Sequence, residues 1–169
     1  IFFTSAVLFL IIPKFFNYEK KAYFLKDYLL KNYALKINKY EDINFTILPT
    51  PKIEIKNVHL KFNEISPEFL TASIILYPKL LSIYNYENFK TKKIILKKSM
   101  ITLETSEFYT FVKMTLKQKK NFSFKDLNLK LQKKKNLLIN LKNINFMNYG
   151  YKKNIFTGEI FNKKFKSEF

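Results

Sequence analysis

The sequence predicts a mainly β domain of roughly seven to nine antiparallel strands, preceded by an apolar N-terminal segment and an amphipathic helix. Three observations carry that expectation. From Lys36 onward hydrophobic residues recur at every second position rather than every third or fourth. The runs are separated by KQKKN (117–121), QKKKN (132–136) and NYGYKKN (148–154), which have the composition of hairpin turns. Of 169 residues, 47% are hydrophobic and 18% aromatic, enough apolar surface to offset the entropy of ordering and to exclude extended disorder.

Residues 1–12, IFFTSAVLFLII, carry no charge. Adding Pro13–Phe16, with Lys14 able to snorkel, makes a stretch of 16 residues, against about 20 needed to cross a bilayer. The chain opens on Ile1 and closes on Phe169 and reads as a piece of a longer protein, in which this stretch would complete a membrane anchor. A signal-peptide core or a buried element are the competing readings; the sequence after Ile12, PKFFNYEKK, holds no small-x-small cleavage site. After Asn17, a candidate helix cap, residues 17–35 read as an amphipathic connecting helix. Ala22, Leu25, Leu29 and Tyr33 form its stripe, and Lys20, Lys21, Lys26, Asp27 and Lys31 lie elsewhere. Such a helix can cap the following domain or lie in a headgroup zone.

The β domain spans 36–169. Ile53 and Ile55 alternate with Glu54 and Lys56; the phase slips at Asn57, and Val58, Leu60 and Phe62 alternate with His59, Lys61 and Asn63. A slip at an asparagine fits a bulge. Leu70, Ala72, Ile74 and Leu76 alternate with Thr71, Ser73, Ile75 and Tyr77, so the four even positions are expected on one apolar face. Strands follow at Phe89–Lys98, Met100–Glu104, Phe122–Leu131, Leu137–Phe146 and Ile155–Phe165. Each has one apolar face, which needs a second layer. The pattern offers one helix for that purpose, so either the strands split into the two sheets of a sandwich or one sheet curls and leaves an apolar groove.

Composition excludes several function classes. No cysteine means no disulfide framework and no thiol chemistry, and a single histidine excludes a multi-histidine metal site. Two glycines cannot build a glycine-rich phosphate cradle. His59 falls on the polar phase of its strand and reads as a surface residue; Glu104 and Glu107 are explained by a strand end, and no catalytic constellation or cofactor site is expected. The net charge of +18 comes entirely from lysine, with no arginine. Lysine, asparagine, isoleucine, phenylalanine and tyrosine, all with AT-rich codons, dominate the chain, which discounts the charge as a functional signal. The lysines are spread along the whole length and no nucleic-acid-binding motif accompanies them, so nucleic acid is not an expected partner. Attraction to anionic lipid is the better use for that charge.

The order of features resembles the N-terminal region of the AsmA family of bacterial envelope proteins. A short apolar segment leads through an amphipathic helix to a proline-containing strand, here Leu48, Pro49, Pro51, Ile53, Ile55, Asn57, Val58 and Leu60. Next comes an "A-x-I-x-L-x-P-x-L-L" segment, here Ala72, Ile74, Leu76, Pro78, Leu80 and Leu81. A strand with Ile94, Leu96, Ile101, Leu103 and Glu104 closes the match, which covers about the first 104 residues. Ser82 stands where members often carry glycine, and Ser99 where they carry an Asp-Gly turn.

The resemblance implies a single-pass inner-membrane protein whose antiparallel, strongly curved sheet forms a U-shaped groove in the periplasm. That groove would bind phospholipid acyl chains and take part in lipid transport and outer-membrane biogenesis, without enzymatic activity or cofactor. Its implied partners are phospholipid, the inner membrane and envelope proteins. The groove would be lined at its start by Ile53, Ile55, Leu60, Phe62, Leu70, Ala72, Ile74 and Leu76, and further along by Leu96, Ile101 and Leu103. The alternative from a different class is a membrane-anchored β-sandwich that docks an envelope partner.

Overall fold

The computed structural model describes residues 22–46, 48–63, 65, 67–79, 82, 88–118, 121–150 and 153–169. The expected anchor (1–16), the start of the connecting helix (17–21), and Leu80 and Leu81 lie outside them. No described helix is long and apolar enough to cross a membrane.

Helix α1 (Ala22–Tyr33) buries Ala22, Leu25, Leu29 and Tyr33, the stripe expected from spacing. Full burial of a leucine contributes about 2 kcal/mol, so this face holds the helix to the domain. Nine strands follow: β1 (Leu35–Lys39), β2 (Asp42–Thr46), β3 (Lys52–Phe62), β4 (Phe69–Pro78), β5 (Thr91–Glu104), β6 (Phe122–Lys133), β7 (Asn136–Gly150), β8 (Lys153–Ile160) and β9 (Lys163–Glu168). A second helix, α2 (Thr105–Leu116), connects β5 to β6.

All nine strands belong to one curved, open sheet. Its order is β1-β3-β4-β5-β6-β7-β8-β9, with β2 pairing the other end of β3. The described strands therefore do not split into a sandwich; the second layer is helical. Pairing is antiparallel except between β5 and β6, which run parallel, Ile94 beside Phe122 and Leu103 beside Leu131. A parallel neighbour requires a crossover, and α2 is that crossover, so 117–121 is a helix-to-strand link rather than a hairpin turn. The segments read as separate strands at 89–98 and 100–104 form the single β5.

The sheet is creased across its strands. Inward positions step by three instead of two at Ile55 to Val58, Leu96 to Ser99 and Phe124 to Leu127. Inside each step sits a residue in the left-handed region: Asn57 (φ 48°), Lys98 (φ 51°) and Asp126 (φ 63°). In β7, Asn143 (φ 53°) does the same between Leu141 and Ile144. Lys56 pairs with Ser73 and Val58 with Thr71, which sets Asn57 across from Ala72. Ser73 then pairs with Lys97 and Thr71 with Ser99, setting Ala72 across from Lys98, and Lys98 lies beside Asp126 in the parallel register. A left-handed residue bends its strand and resets the alternation. Asn57, Lys98 and Asp126, with Ala72 of β4 between the first two, mark one line across β3 to β6, and Asn143 of β7 lies a short step along from it, across from Asn128.

Breaking the ladder there leaves polar groups that side chains satisfy. Asp126 N–H donates to Asn145 Oδ1 (3.2 Å) and Asn143 N–H to Asn128 Oδ1 (3.2 Å). The buried Thr71 hydroxyl donates to the Lys97 carbonyl (2.8 Å) and accepts from Ser99 Oγ (3.0 Å).

The concave side holds the core. Phe62 packs against Phe69 and against Phe111 of α2, at centroid distances of 5.5 and 5.8 Å. Tyr33 of α1 stacks on Phe122 at 6.0 Å, and Gln118 Nε2 donates to the Tyr33 carbonyl (3.1 Å). The Tyr28 hydroxyl accepts from Thr91 N–H (3.0 Å) and shares a hydrogen bond with Thr91 Oγ1 (2.9 Å), tying α1 to the start of β5.

Candidate functional site: an apolar cleft beside the second helix

Helix α1 packs beside β1 and α2 over β5 and β6, so the concave face of the last strands has less cover. Along β7 to β9, Leu141, Phe156 and Phe165 are half-buried, whereas their counterparts Leu96, Ile101 and Phe124 are fully enclosed. Between α2 and these strands lies a cleft of about 320 Å³. Phe108, Phe111 and Val112 form one wall, Leu127, Leu129, Leu141 and Ile144 the floor, and Phe156, Phe165, Ser167 and Phe169 the far side. Ser167 is the one polar residue among them, and the exposed wall is apolar.

Local sequence explains the opening. Gly158, opposite Phe165, has no side chain; a Cβ there would lie 3.0 Å from the Phe165 ring and 3.2 Å from Ile144 Cγ1. The glycine therefore lets the Phe165 ring lie flat against β8. Phe156 is wedged between Phe146 (4.6 Å) and Phe169 (5.9 Å), which fixes the aromatic side of the cleft. Asn154 and Phe169 exchange both backbone hydrogen bonds, 2.9 and 3.0 Å, and so hold the last residue to β8.

Of the 11 residues expected to line a groove, Ile53, Ile55, Leu60, Phe62, Ile74, Leu76, Leu96, Ile101 and Leu103 are buried on the concave side. They are enclosed in the core that α1 and α2 complete, and none borders the cleft. Leu70 and Ala72 require a correction: both are exposed, on the face opposite Ile74 and Leu76. The crease is the reason, because β4 switches phase where it crosses Ala72, which turns Phe69 and Thr71 inward instead. Sequence periodicity places Leu127, Leu129, Leu141, Ile144, Phe156 and Phe165 in strands and assigns 108–112, Ser167 and Phe169 to no element. The available signal was the alternation of Phe156 and Gly158 with Phe165 in the following run.

Residues with chemical potential are placed structurally. Glu107 Oε2 accepts the Glu104 N–H (3.2 Å) and so starts α2, while Glu104 Oε2 accepts Lys134 N–H (3.3 Å) across to the β6–β7 turn. His59 pairs with Leu70 and Lys39, on the convex phase of β3. Among the described residues no three His, Cys, Asp or Glu side chains come together in a way that could hold a metal ion. Tyr33 is the one described group away from exposed ion pairs with a shifted titration: burial pushes its phenol up to about 12. It belongs to the helix contact, not to the cleft.

Comparison of the chain with known protein families, with curated proteins and with solved structures finds no match.

Proposed function

We propose that this chain is the membrane-proximal part of an AsmA-like groove protein that holds phospholipid acyl chains. In this reading residues 1–16 anchor it in a bacterial inner membrane, the β domain stands in the periplasm, and the protein serves phospholipid transport in outer-membrane biogenesis. The observation that carries the reading is the apolar cleft between α2 and β6–β9. A surface of phenylalanine, leucine, isoleucine and valine left open to water is costly, and an acyl chain covers it with a gain of about 0.8 kcal/mol per buried methylene. Further support comes from the curved open sheet, whose strands could continue beyond β9 as a U-shaped groove, and from the strand motifs between Leu48 and Glu104. No bond-making chemistry is part of this function.

Site-specific photocrosslinking in cells tests it. A photoreactive residue at Val112, on the cleft wall, is expected to give phospholipid adducts, and one at Leu70, on the convex face, is not. Absence of lipid adducts at Val112 would rule out acyl binding in the cleft. A second reading is favoured by the outer edge of β9, which pairs with no other described strand: an anchored docking domain that receives a partner's strand there. Protein adducts from Lys164, with no lipid at Val112, would select it.

A further inference from the structure

We propose that two hairpin tips at one end of the sheet form a docking surface for an anionic phospholipid bilayer. The β6–β7 turn (Lys134 and Lys135) and the β8–β9 turn (Phe161 and Asn162) point the same way. Leu141 of β7 pairs with Ile160 of β8 directly behind the β8–β9 turn, so the β6–β7 hairpin projects further, and its Leu137 and Leu138 border one shallow depression with Phe161 and Asn162. Around these turns Phe161 is 75% exposed, Leu137 59% and Leu138 50%. Large apolar side chains concentrated at a tip are what a partner surface would cover.

The turns hold these groups outward. Lys134 and Lys135 have φ of 50° and 68°, Phe161 and Asn162 of 50° and 61°. Two successive left-handed residues make the tight hairpin turn that matches strand twist, normally built from asparagine and glycine. A phenylalanine at such a position is sterically unfavourable and, in so short a turn, has no freedom to fold back onto the core.

The clustering of charge around these turns, rather than the net charge of the chain, selects the partner. Lys133, Lys134, Lys135, Lys163 and Lys164 are all exposed at the same tips, and among the described residues none of them is in a salt bridge. The nearby acids are Glu159, which pairs with Lys164 in the ladder and accepts from Asn143, and Glu104, which accepts the Lys134 N–H. Lysines ringing exposed leucine and phenylalanine match both parts of an anionic leaflet, the headgroup charge and the acyl layer. Nucleic acid would use the lysines but leave Leu137, Leu138 and Phe161 uncovered.

The chain has no tryptophan, so Phe161→Trp creates a unique reporter in the full chain. With vesicles of phosphatidylglycerol and phosphatidylcholine, its emission is expected to shift to the blue and to be quenched by brominated acyl chains. A Leu138→Trp reporter should respond in the same way, and Leu70→Trp should not. Each lysine near an anionic surface strengthens association about fivefold, so Lys134→Gln with Lys135→Gln should raise the lipid concentration at half-response roughly 25-fold. The local readout matters because residues 1–16 can hold the chain to vesicles by themselves. Unquenched tryptophan at both tip positions while the chain floats with vesicles would overturn the proposal. So would an equal response to pure phosphatidylcholine, or a response to oligonucleotide alone. The inference does not rest on lipid occupying the cleft: adducts at Val112 and quenching at position 161 can each fail without the other.

Discussion

Replacing Thr71 by valine removes the polar link at the centre of the crease while keeping the shape of the side chain. Thr71 and Ser99 are 2% and 1% exposed, so neither finds water. The Thr71 hydroxyl donates to the Lys97 carbonyl at 2.8 Å and accepts from Ser99 Oγ at 3.0 Å. Valine leaves both partners without their hydrogen bond, and each such buried group costs about 1–3 kcal/mol. The new methyl returns somewhat under 1 kcal/mol through burial. Taking about 1.5 kcal/mol for each of the two groups, the net expectation is a loss of about 2–3 kcal/mol. Equilibrium urea unfolding followed by circular dichroism reads this directly; at about 2 kcal/mol per molar, the midpoint should fall by roughly 1 M. The double variant Thr71→Val, Ser99→Ala removes the second orphan and should cost less than the sum of the single variants, with a coupling of about 1 kcal/mol. A Thr71→Val protein within about 0.5 kcal/mol of wild type, together with additive single effects, would refute the assignment of this pair as the polar pin of the crease.

Three further outcomes follow from the same geometry. Lys98→Gly relieves an L-residue of its left-handed backbone and should be neutral or stabilising by up to about 1 kcal/mol in the same unfolding assay, whereas Thr102→Gly, in the regular alternation of the same strand, should destabilise. Gly158→Ala places a Cβ 3.0 Å from the Phe165 ring, so it should cost about 1 kcal/mol and reduce lipid adducts at Val112 as the ring is pushed into the cleft. The Tyr33 phenol is raised to about 12 by burial, from an ordinary value of 10.0. The neutral form is therefore favoured in the fold, and its contribution is complete below pH 10. Stability should fall as pH rises from 10 toward 12, because the unfolded chain ionises first; Tyr33→Phe should flatten that part of the pH–stability curve.

Periodicity made α1 legible, because its packing depends on one stripe, Ala22, Leu25, Leu29 and Tyr33, that no distant contact alters. The phase slip at Asn57 was equally plain, since apolar residues mark both sides of it. The same slip in β4 was hidden: Leu70 and Ala72 are apolar and continue the alternation of Ile74 and Leu76, so nothing local announces that they face outward. Their orientation is imposed by the neighbouring strands, which all bend at that level. Helix α2 was concealed for another reason. Phe108, Tyr109, Thr110, Phe111, Val112 and Thr115 are aromatic or β-branched, types that favour strands on propensity. Without α2 the parallel pairing of β5 and β6 could not be foreseen, and without the helix over β5 and β6 the open part of the concave face could not be located.

The aligned left-handed residues also restrict how this chain can change in length. A one-residue insertion between Leu60 and Phe62, or between Leu129 and Leu131, would leave the bend in place but turn one side chain of the pair away from the core. An insertion between Ile55 and Val58 would carry one strand's bend out of line with the others. Compensation would require matching changes in every strand from β3 to β7 at once. Gains and losses of residues should therefore be confined to the connections, and a homologous chain aligned to this one should show its gaps there and keep the spacings from Asn57, Lys98, Asp126 and Asn143 to their flanking core residues unchanged.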